Sequence, residues 1–157
     1  MRIIIAGAGA VGTHLAKLLV QENHDIILMD EDRERLNAVK DNVELLLRIG
    51  SCISLKDLSD AEVKDTDLFI AVTTEESKNI TACMLASNLG AKKTLARIDN
   101  YEYLLPKNID FFEKLGVNSM IYPEMMAAKE IVSALKNPWT RVWWELCNAS
   151  IILSGAQ

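Results

Sequence analysis

Three glycines near the start of the chain, at positions 7, 9 and 12, have the spacing G-x-G-x-x-G. The largely apolar residues 2–6 before them predict a buried strand, and the segment from about Ala10 onward has helical periodicity. At such a strand–turn–helix junction, the first glycine permits a tight turn and the second lets a phosphate approach the backbone, while the third lets the helix pack against the strand. The unpaired N–H groups at the start of the helix favour an anion.

We therefore predict that this loop binds the diphosphate group of a nucleotide. The candidate contacts are Gly7, Ala8, Gly9, Ala10, Val11 and Gly12. The alternative is a glycine-rich turn that binds no ligand, because the motif alone is weakly specific.

A single carboxylate after the second predicted strand supports the first interpretation. Asp30 follows the apolar residues 26–29, near the spacing of about 20 residues at which dinucleotide-binding domains place an acidic residue for the adenosine ribose. This carboxylate would repel a 2′-phosphate, so we expect NAD rather than NADP. Helix capping is the alternative role, but Asp32 is better placed for it, which would leave Asp30 free. Arg33 and Arg35 could hold a 2′-phosphate, although exposed positions on a helix explain them more simply.

Polar residues also end the third and fifth predicted strands. Ser51 and Cys52 are candidate neighbours of an adenine ring, and a plain turn with Cys52 as a small, partly buried residue is the alternative. Arg97 could reach a bound phosphate or carboxylate from the end of its strand. Its alternative role is a salt bridge with Asp99 or Glu75.

Two threonines follow the fourth predicted strand. Thr73 and Thr74 would face the glycine loop across the cofactor crevice and could contact a dinucleotide there. Thr73 and Glu76 also fit a capping box, S/T-x-x-E, which would explain both residues structurally.

The elements that must position these residues alternate between strands and helices along the chain. Strands are predicted over residues 2–6, 25–29, 44–49, 68–72, 93–98 and 119–122, and helices over 10–22, 31–42, 53–58, 75–89 and 123–136. This alternation predicts an α/β fold, a doubly wound parallel sheet of the Rossmann type with the strand order 3-2-1-4-5-6. Strands one and four then flank the point where the chain reverses direction, so a ligand is expected between their carboxyl ends.

Composition restricts the function further. The net charge is −5 and no basic stripe is visible, which argues against nucleic acid as a partner. Two histidines leave little for a zinc site or a histidine-based catalytic site, and three widely spaced cysteines suit a reducing cytosol. Because no apolar run approaches the roughly 18–20 residues of a membrane span, we expect a cytoplasmic chain that meets a membrane only through a partner.

The end of the chain differs from the rest. We predict that residues 1–137 form the nucleotide-binding domain and that 138–157 form a linker or extension toward a further subdomain. Trp139, Trp143 and Trp144 carry too much apolar surface for a free tail, which indicates a docking or oligomer surface. The alternative is that they complete the core of this domain.

Several segments together resemble a known family. They are residues 3–12 with Asp30, the stretch 71–83 (AVTTEESKNITAC), residues 96–98 (ARI) and residues 122–124 (YPE). In these segments the chain is similar to the RCK (KTN) family of regulatory domains, of the TrkA N-terminal type, over roughly residues 1–137. The glycine loop is shared with many dehydrogenases, whereas the stretch 71–83 followed by Ala-Arg is much more specific.

The resemblance implies a sensor without catalytic activity that binds NAD(H), and in some relatives ATP or ADP. Such domains assemble as dimers and rings beneath a potassium-translocating membrane subunit of the Trk type, and nucleotide binding changes the ring geometry to gate ion flow. The chain would then lie at the inner face of the membrane through that partner. The binding positions of the family correspond here to Gly7 through Val11, Asp30, Thr73, Thr74 and Arg97.

Three positions depart from the family pattern. Ser51 stands where relatives often have Asp, and Asp99 replaces a basic residue. Ala10 replaces an arginine found in ATP-preferring relatives, which weakens the case for a γ-phosphate. Two alternative functions stay open: an NAD-dependent oxidoreductase, for which Lys78 and Glu124 are the only candidate acid–base groups, and an oligomerisation module with a degenerate site.

Overall fold

A computed structural model of the protein describes residues 1–39, 45–136, 142–146 and 151–155. The chain divides into two compact units, residues 1–122 and 123–157. The predicted domain boundary after residue 137 lies outside the described residues and stays a prediction.

The first unit alternates strands and helices. Its strands are β1 (Arg2–Ala6), β2 (Asp25–Asp30), β3 (Leu46–Ile49), β4 (Leu68–Ala71), β5 (Thr94–Arg97) and β6 (Ser119–Ile121). Its helices are α1 (Ala10–Gln21), α2 (Arg33–Asn37), α3 (Leu55–Asp60), α4 (Glu76–Leu89) and α5 (Pro106–Lys114), with short 3₁₀ turns at Val63–Asp65 and Tyr101–Leu104. The strands form one parallel sheet in the order β3-β2-β1-β4-β5-β6, which confirms the predicted Rossmann-type topology.

Apolar side chains of the central strands fill a core on each face of the sheet. Ile3 and Ile5 lie in one core with Ala16 of α1, whereas Ile4 and Ala6 lie in the other with Ala82 of α4. Successive side chains of a strand point to opposite faces, so a strand covered on both sides must be apolar at every position. This explains why residues 3–6 of the first strand form an uninterrupted apolar run.

The reversal of chain direction falls between β1 and β4. Ile5 of β1 pairs with Leu28 of β2 on one side and with Ile70 of β4 on the other. Because α1 follows β1 onto one face and α4 follows β4 onto the other, the loops after these two strands diverge. A crevice therefore opens at their carboxyl ends, where doubly wound sheets bind ligands.

Several element boundaries differ from the predictions for local reasons. Helix α2 begins at Arg33 instead of residue 31, because the Asp32 carboxylate accepts hydrogen bonds from the backbone N–H groups of Glu34 and Arg35. Helix α3 begins at Leu55 instead of residue 53, because the Ser54 hydroxyl caps it. The predicted parts of the second helix and third strand within residues 40–44 lie outside the described residues.

The second unit contains the predicted helix α6 (Pro123–Lys136) and an antiparallel hairpin that the sequence analysis did not predict. The hairpin consists of β7 (Val142–Leu146) and β8 (Ile151–Gly155), with Trp144 opposite Leu153 in the pairing register. Trp139 lies outside the described residues. Trp143 and Trp144 lie in strand β7. Their interpretation as an interface stays a prediction.

Candidate functional site

A cleft with a volume of about 250 Å³ lies at the carboxyl ends of β1 to β4. It is lined by Gly7, Gly9, Met29, Asp30, Glu31, Asp32, Arg35, Gly50, Cys52, Val72, Thr73, Thr74, Glu75 and Lys78. Six predicted site residues are among them: Gly7, Gly9, Asp30, Cys52, Thr73 and Thr74. The fold thus brings together the loops that the sequence analysis placed around one ligand.

The other predicted site residues lie outside this lining. Ala8 and Ala10 line a neighbouring groove beside α1, and Val11 is exposed on the first turn of that helix. Gly12 is buried beneath the glycine loop. Ser51 borders the cleft through its hydrogen bond to Glu31, while Arg97 lies at the end of β5.

The three positions of the motif differ in whether the structure requires glycine there. Gly7 has a φ of +111°, and a Cβ added there would lie 3.0 Å from the Thr73 nitrogen. A Cβ on Gly12 would lie 1.8 Å from the Gly7 carbonyl oxygen, so only glycine lets α1 approach this turn. Around Gly9, in contrast, no atom of the described residues other than its chain neighbours lies within 4 Å of the position of an added Cβ. Its φ of −72° suits any residue.

Backbone conformation and packing therefore explain why glycine occupies positions 7 and 12, but they do not explain the glycine at position 9. Gly9 lines the cleft and precedes the first turn of α1, where backbone N–H groups lack helical partners. The first turn of α1 carries no acidic residue that would compete with an anion. Open space, free N–H donors and the positive end of the helix dipole together suit a phosphate group.

Asp30 connects the end of β2 to the glycine loop. Its carboxylate accepts the backbone N–H of Ala8 at 2.6 Å and that of Asp32 at 2.8 Å, and its side chain is 11% exposed. The prediction that Asp32 caps the helix is confirmed. Asp30 takes no part in that cap, as predicted, although each of its oxygens already accepts one backbone hydrogen bond. A carboxylate has about four acceptor positions, so capacity remains for ribose hydroxyls.

Cys52 lines the end of the cleft beside β3, and Ser51 borders it. The Ser51 backbone N–H donates to Asp57 at 2.8 Å, and the Ser51 hydroxyl donates to Glu31 at 2.6 Å. Burial raises the pKa of the Cys52 thiol to about 11. Cys52 is thus a small buried residue whose thiol stays protonated at neutral pH, and its contact with an adenine ring stays a prediction.

Thr73 belongs to a hydrogen-bond network centred on Asn79, and the predicted capping box is wrong. Asn79, which is 1% exposed, accepts the Thr73 N–H at 2.9 Å and the Thr73 hydroxyl at 2.6 Å. The Asn79 amide donates to the carbonyl oxygens of Thr73 at 3.1 Å and Arg97 at 3.0 Å. Glu76, the other predicted partner of Thr73, instead accepts the backbone N–H groups of Asp99 and Asn100.

The cleft contains an ion pair that was not predicted from the sequence. Lys78 and Glu31 form an ion pair at 2.8 Å, and the same Glu31 oxygen accepts the Ser51 hydroxyl. The hydrogen bond between them lowers the pKa of Glu31 and raises that of Lys78, so both are charged at neutral pH. The 47 residues that separate them leave no short-range pattern in the sequence.

Arg97 has one of its two predicted roles in this structure. Its guanidinium lies 3.6 Å from Asp99, which is the salt bridge named as the alternative. Its backbone carbonyl oxygen accepts the Asn79 amide and so ties β5 to the start of α4. A contact between Arg97 and a ligand stays a prediction.

The sheet order and the cleft at its reversal point define a Rossmann-type domain with the architecture of a nucleotide-binding site. The family model of the TrkA-N domain matches residues 3–123, so the chain belongs to the TrkA-N domain family. The resemblance predicted from the sequence is thereby confirmed.

Curated relatives agree with this membership. The Trk system potassium uptake protein TrkA of Haemophilus influenzae is 39% identical over 140 residues, which are 88% of this chain and 31% of the relative. A Trk system potassium uptake protein TrkA homolog of Archaeoglobus fulgidus is 36% identical over 138 residues, again 88% and 31% of the two chains. The chain therefore spans about a third of the length of these relatives.

Solved structures share the fold at low sequence identity. The TrkA-N domain of the inner membrane protein ybaL from Escherichia coli is 15% identical with a TM-score of 0.72, covering 85% of this chain and 96% of that one. The GsuK channel bound to NAD is 13% identical with a TM-score of 0.66, covering 94% and 25%. The Kef C-terminal domain of Shewanella denitrificans in its AMP-bound form is 19% identical with a TM-score of 0.67, covering 90% and 84%.

Proposed function

We propose that this chain is an NAD(H)-binding regulatory domain of a potassium-transport system. The observation that carries the proposal is the open space over Gly9 at the start of α1, beside a carboxylate that is fixed to the same loop. The names of the curated relatives support the link to potassium uptake. The NAD-bound and AMP-bound neighbours of the same fold support an adenine nucleotide as the ligand.

The described residues suit the parts of a dinucleotide in a definite order. The backbone at Gly9 and the first turn of α1 would hold the diphosphate, and Asp30 would accept the ribose hydroxyls. The adenine would lie toward Ser51 and Cys52 at the end of β3, and the remaining half of the dinucleotide toward Thr73 and Thr74. The carboxylate of Asp30 would repel a 2′-phosphate, so NAD(H) is preferred to NADP(H), and ATP or ADP is the second choice.

The proposed role is regulation. Lys78, a candidate proton acceptor for an oxidoreductase, is held as a cation by Glu31, since their hydrogen bond raises its pKa. A group of that kind does not accept a proton readily at neutral pH. Nucleotide binding would instead shift an oligomer between arrangements, which requires different affinities of the two arrangements for the ligand.

The proposed partners are further copies of the chain and a membrane subunit of the Trk type that translocates potassium. Helix α6 carries exposed large apolar side chains, Met126, Ile131, Val132 and Leu135, which suit burial against a second copy. None of the helices in the described ranges combines the length and hydrophobicity of a bilayer crossing. Contact with the membrane from the cytoplasmic side would therefore come through that subunit.

Calorimetric titration with NAD, NADH, NADP, ADP and ATP tests the ligand. We expect saturable binding of NAD or NADH, and weaker binding of NADP because of Asp30. The Gly9→Val variant places a side chain in the open space and should weaken NAD binding at least about tenfold, or about 1.4 kcal/mol.

The same variant supplies the control for folding. Its free energy of unfolding should change by no more than about 1 kcal/mol, because Gly9 is a helix N-cap without a side-chain hydrogen bond. Unchanged NAD affinity in Gly9→Val, or no nucleotide binding by the natural chain, would contradict the proposed function.

A further inference from the structure

The Glu31–Lys78 ion pair joins the two walls of the cleft. Glu31 directly follows β2, whereas Lys78 lies in the first turn of α4, and both line the cavity. The Lys78 side chain is 19% exposed, and its ammonium lies 2.8 Å from Glu31. The Ser51 hydroxyl, 2.6 Å from the same oxygen, fixes the carboxylate in place.

The charges of the lining are unbalanced. In the part of the chain that the structure describes, the lining has the carboxylates Asp30, Glu31, Asp32 and Glu75 and the cations Arg35 and Lys78. Arg35 lies 3.3 Å from Asp32 and 4.0 Å from Asp30, while Lys78 is paired with Glu31. Both cations are therefore engaged by carboxylates of the cleft, and the excess charge is negative.

Nucleotides differ in how strongly such a site disfavours them. Each bridging phosphate of a dinucleotide carries a single negative charge, whereas a terminal phosphate carries roughly −1.5 to −2 at neutral pH. Backbone N–H groups at the glycine loop can stabilise a diphosphate, but a terminal phosphate needs a further cation. Lys78 is the cation on the wall opposite the ribose carboxylate, and Glu31 neutralises it.

We propose that Glu31 sets the ligand selectivity of this cleft by pairing with Lys78, so that the site favours the dinucleotide over nucleoside di- and triphosphates. This inference rests on the proposed function, since it concerns ligands of the same cleft. Without the carboxylate, the flexible Lys78 side chain could turn toward a terminal phosphate, and ADP and ATP would gain more than NAD.

The test compares the ratio of the ADP and NAD dissociation constants in four chains: natural, Glu31→Gln, Lys78→Gln and the double variant. Titrations at low salt with a chelator keep divalent cations from masking the phosphate charges. Glutamine matches glutamate in size and can still accept the Ser51 hydroxyl. In Glu31→Gln we expect the ratio to fall at least about fivefold in favour of ADP, with a smaller change at high salt.

The double variant decides whether Lys78 is responsible. It should return the ratio to within about twofold of the natural value, because the released cation is gone. The matched control is Glu34→Gln, which removes the same charge from an exposed position on α2 outside the cleft and should leave the ratio unchanged.

Two results would overturn the inference while leaving the proposed function intact. One is NAD binding by the natural chain with the same ratio in Glu31→Gln; the other is a double variant that keeps the ratio of Glu31→Gln. If the natural chain binds no nucleotide at all, the proposed function itself fails.

Discussion

The two loops that flank the cleft are built in opposite ways. After β1, the loop leaves open space over Gly9 and presents backbone N–H groups at the start of a helix. After β4, the Thr73 N–H, hydroxyl and carbonyl groups are all bonded to the buried Asn79 side chain. The first loop has open space beside a helix start, whereas the polar groups of Thr73 in the second loop are already hydrogen-bonded within the fold.

The largest expected effect concerns the glycine loop itself, where Gly12 and Gly9 contrast. The Gly12→Ala variant should lose more than about 3 kcal/mol of unfolding free energy, because its Cβ would lie 1.8 Å from a backbone oxygen and α1 would have to move. Urea denaturation measures this loss. Gly9→Ala is the matched variant and should lose less than about 1 kcal/mol. Equal losses of unfolding free energy in the two variants would contradict the difference in packing between Gly12 and Gly9.

The next effect concerns the second loop. Asn79→Ala removes the partner of Thr73 and of the Arg97 carbonyl in a buried position, and should cost about 2–3 kcal/mol of unfolding free energy. Asn88→Ala is the control on the same helix, since its exposed amide donates to the Met84 carbonyl oxygen one turn earlier. Similar losses of unfolding free energy for the two variants in chemical denaturation would contradict a stabilising role of the Asn79 hydrogen bonds.

The smallest effect concerns the ion pair that joins the walls. Glu31 is 52% exposed, so solvent screens the pair, and Lys78→Gln should cost less than about 1 kcal/mol at neutral pH. The hydrogen bond lowers the pKa of Glu31, so its contribution is complete above its ordinary value and is lost as the pH falls through the lowered pKa. The hydrogen bond raises the pKa of Lys78, so that contribution is lost only as the pH rises through the raised value.

Unfolding free energies of the natural chain and Lys78→Gln, measured between about pH 3 and pH 8, test this linkage. The difference between the two chains should shrink as the pH falls through the lowered pKa of Glu31. Lys56→Gln, a change at an exposed lysine of α3, should show no such trend. If the difference in unfolding free energy stays constant as the pH falls, Glu31 is not the residue through which Lys78 contributes to stability.

Sequence patterns predicted best where the deciding interaction is local. Asp32 caps α2 as expected, since a cap bonds N–H groups within three residues. The Thr73–Glu76 capping box fitted an equally local pattern and was wrong, because Asn79 and the backbone of residues 99–100 offer these side chains other partners. The local rule holds only when no tertiary partner competes.

The acidic residue after β2 shows the same limit. Its position was predicted from the distance to the glycines, but its bond to the Ala8 N–H depends on the pairing of β1 with β2. The Glu31–Lys78 pair was missed because 47 residues separate its members. Contacts of this kind arise only when parallel strands bring their carboxyl ends to one edge of the sheet.

The amino-acid sequence by itself determined the succession of strands and helices and the glycine turn, because apolar periodicity and glycine conformation act over a few residues. Its motifs also determined the family. Only the tertiary structure decided which groups around the cleft are already bonded and which remain available. The reason is that each side chain takes the best partner within reach, and reach is set by how the strands and helices pack.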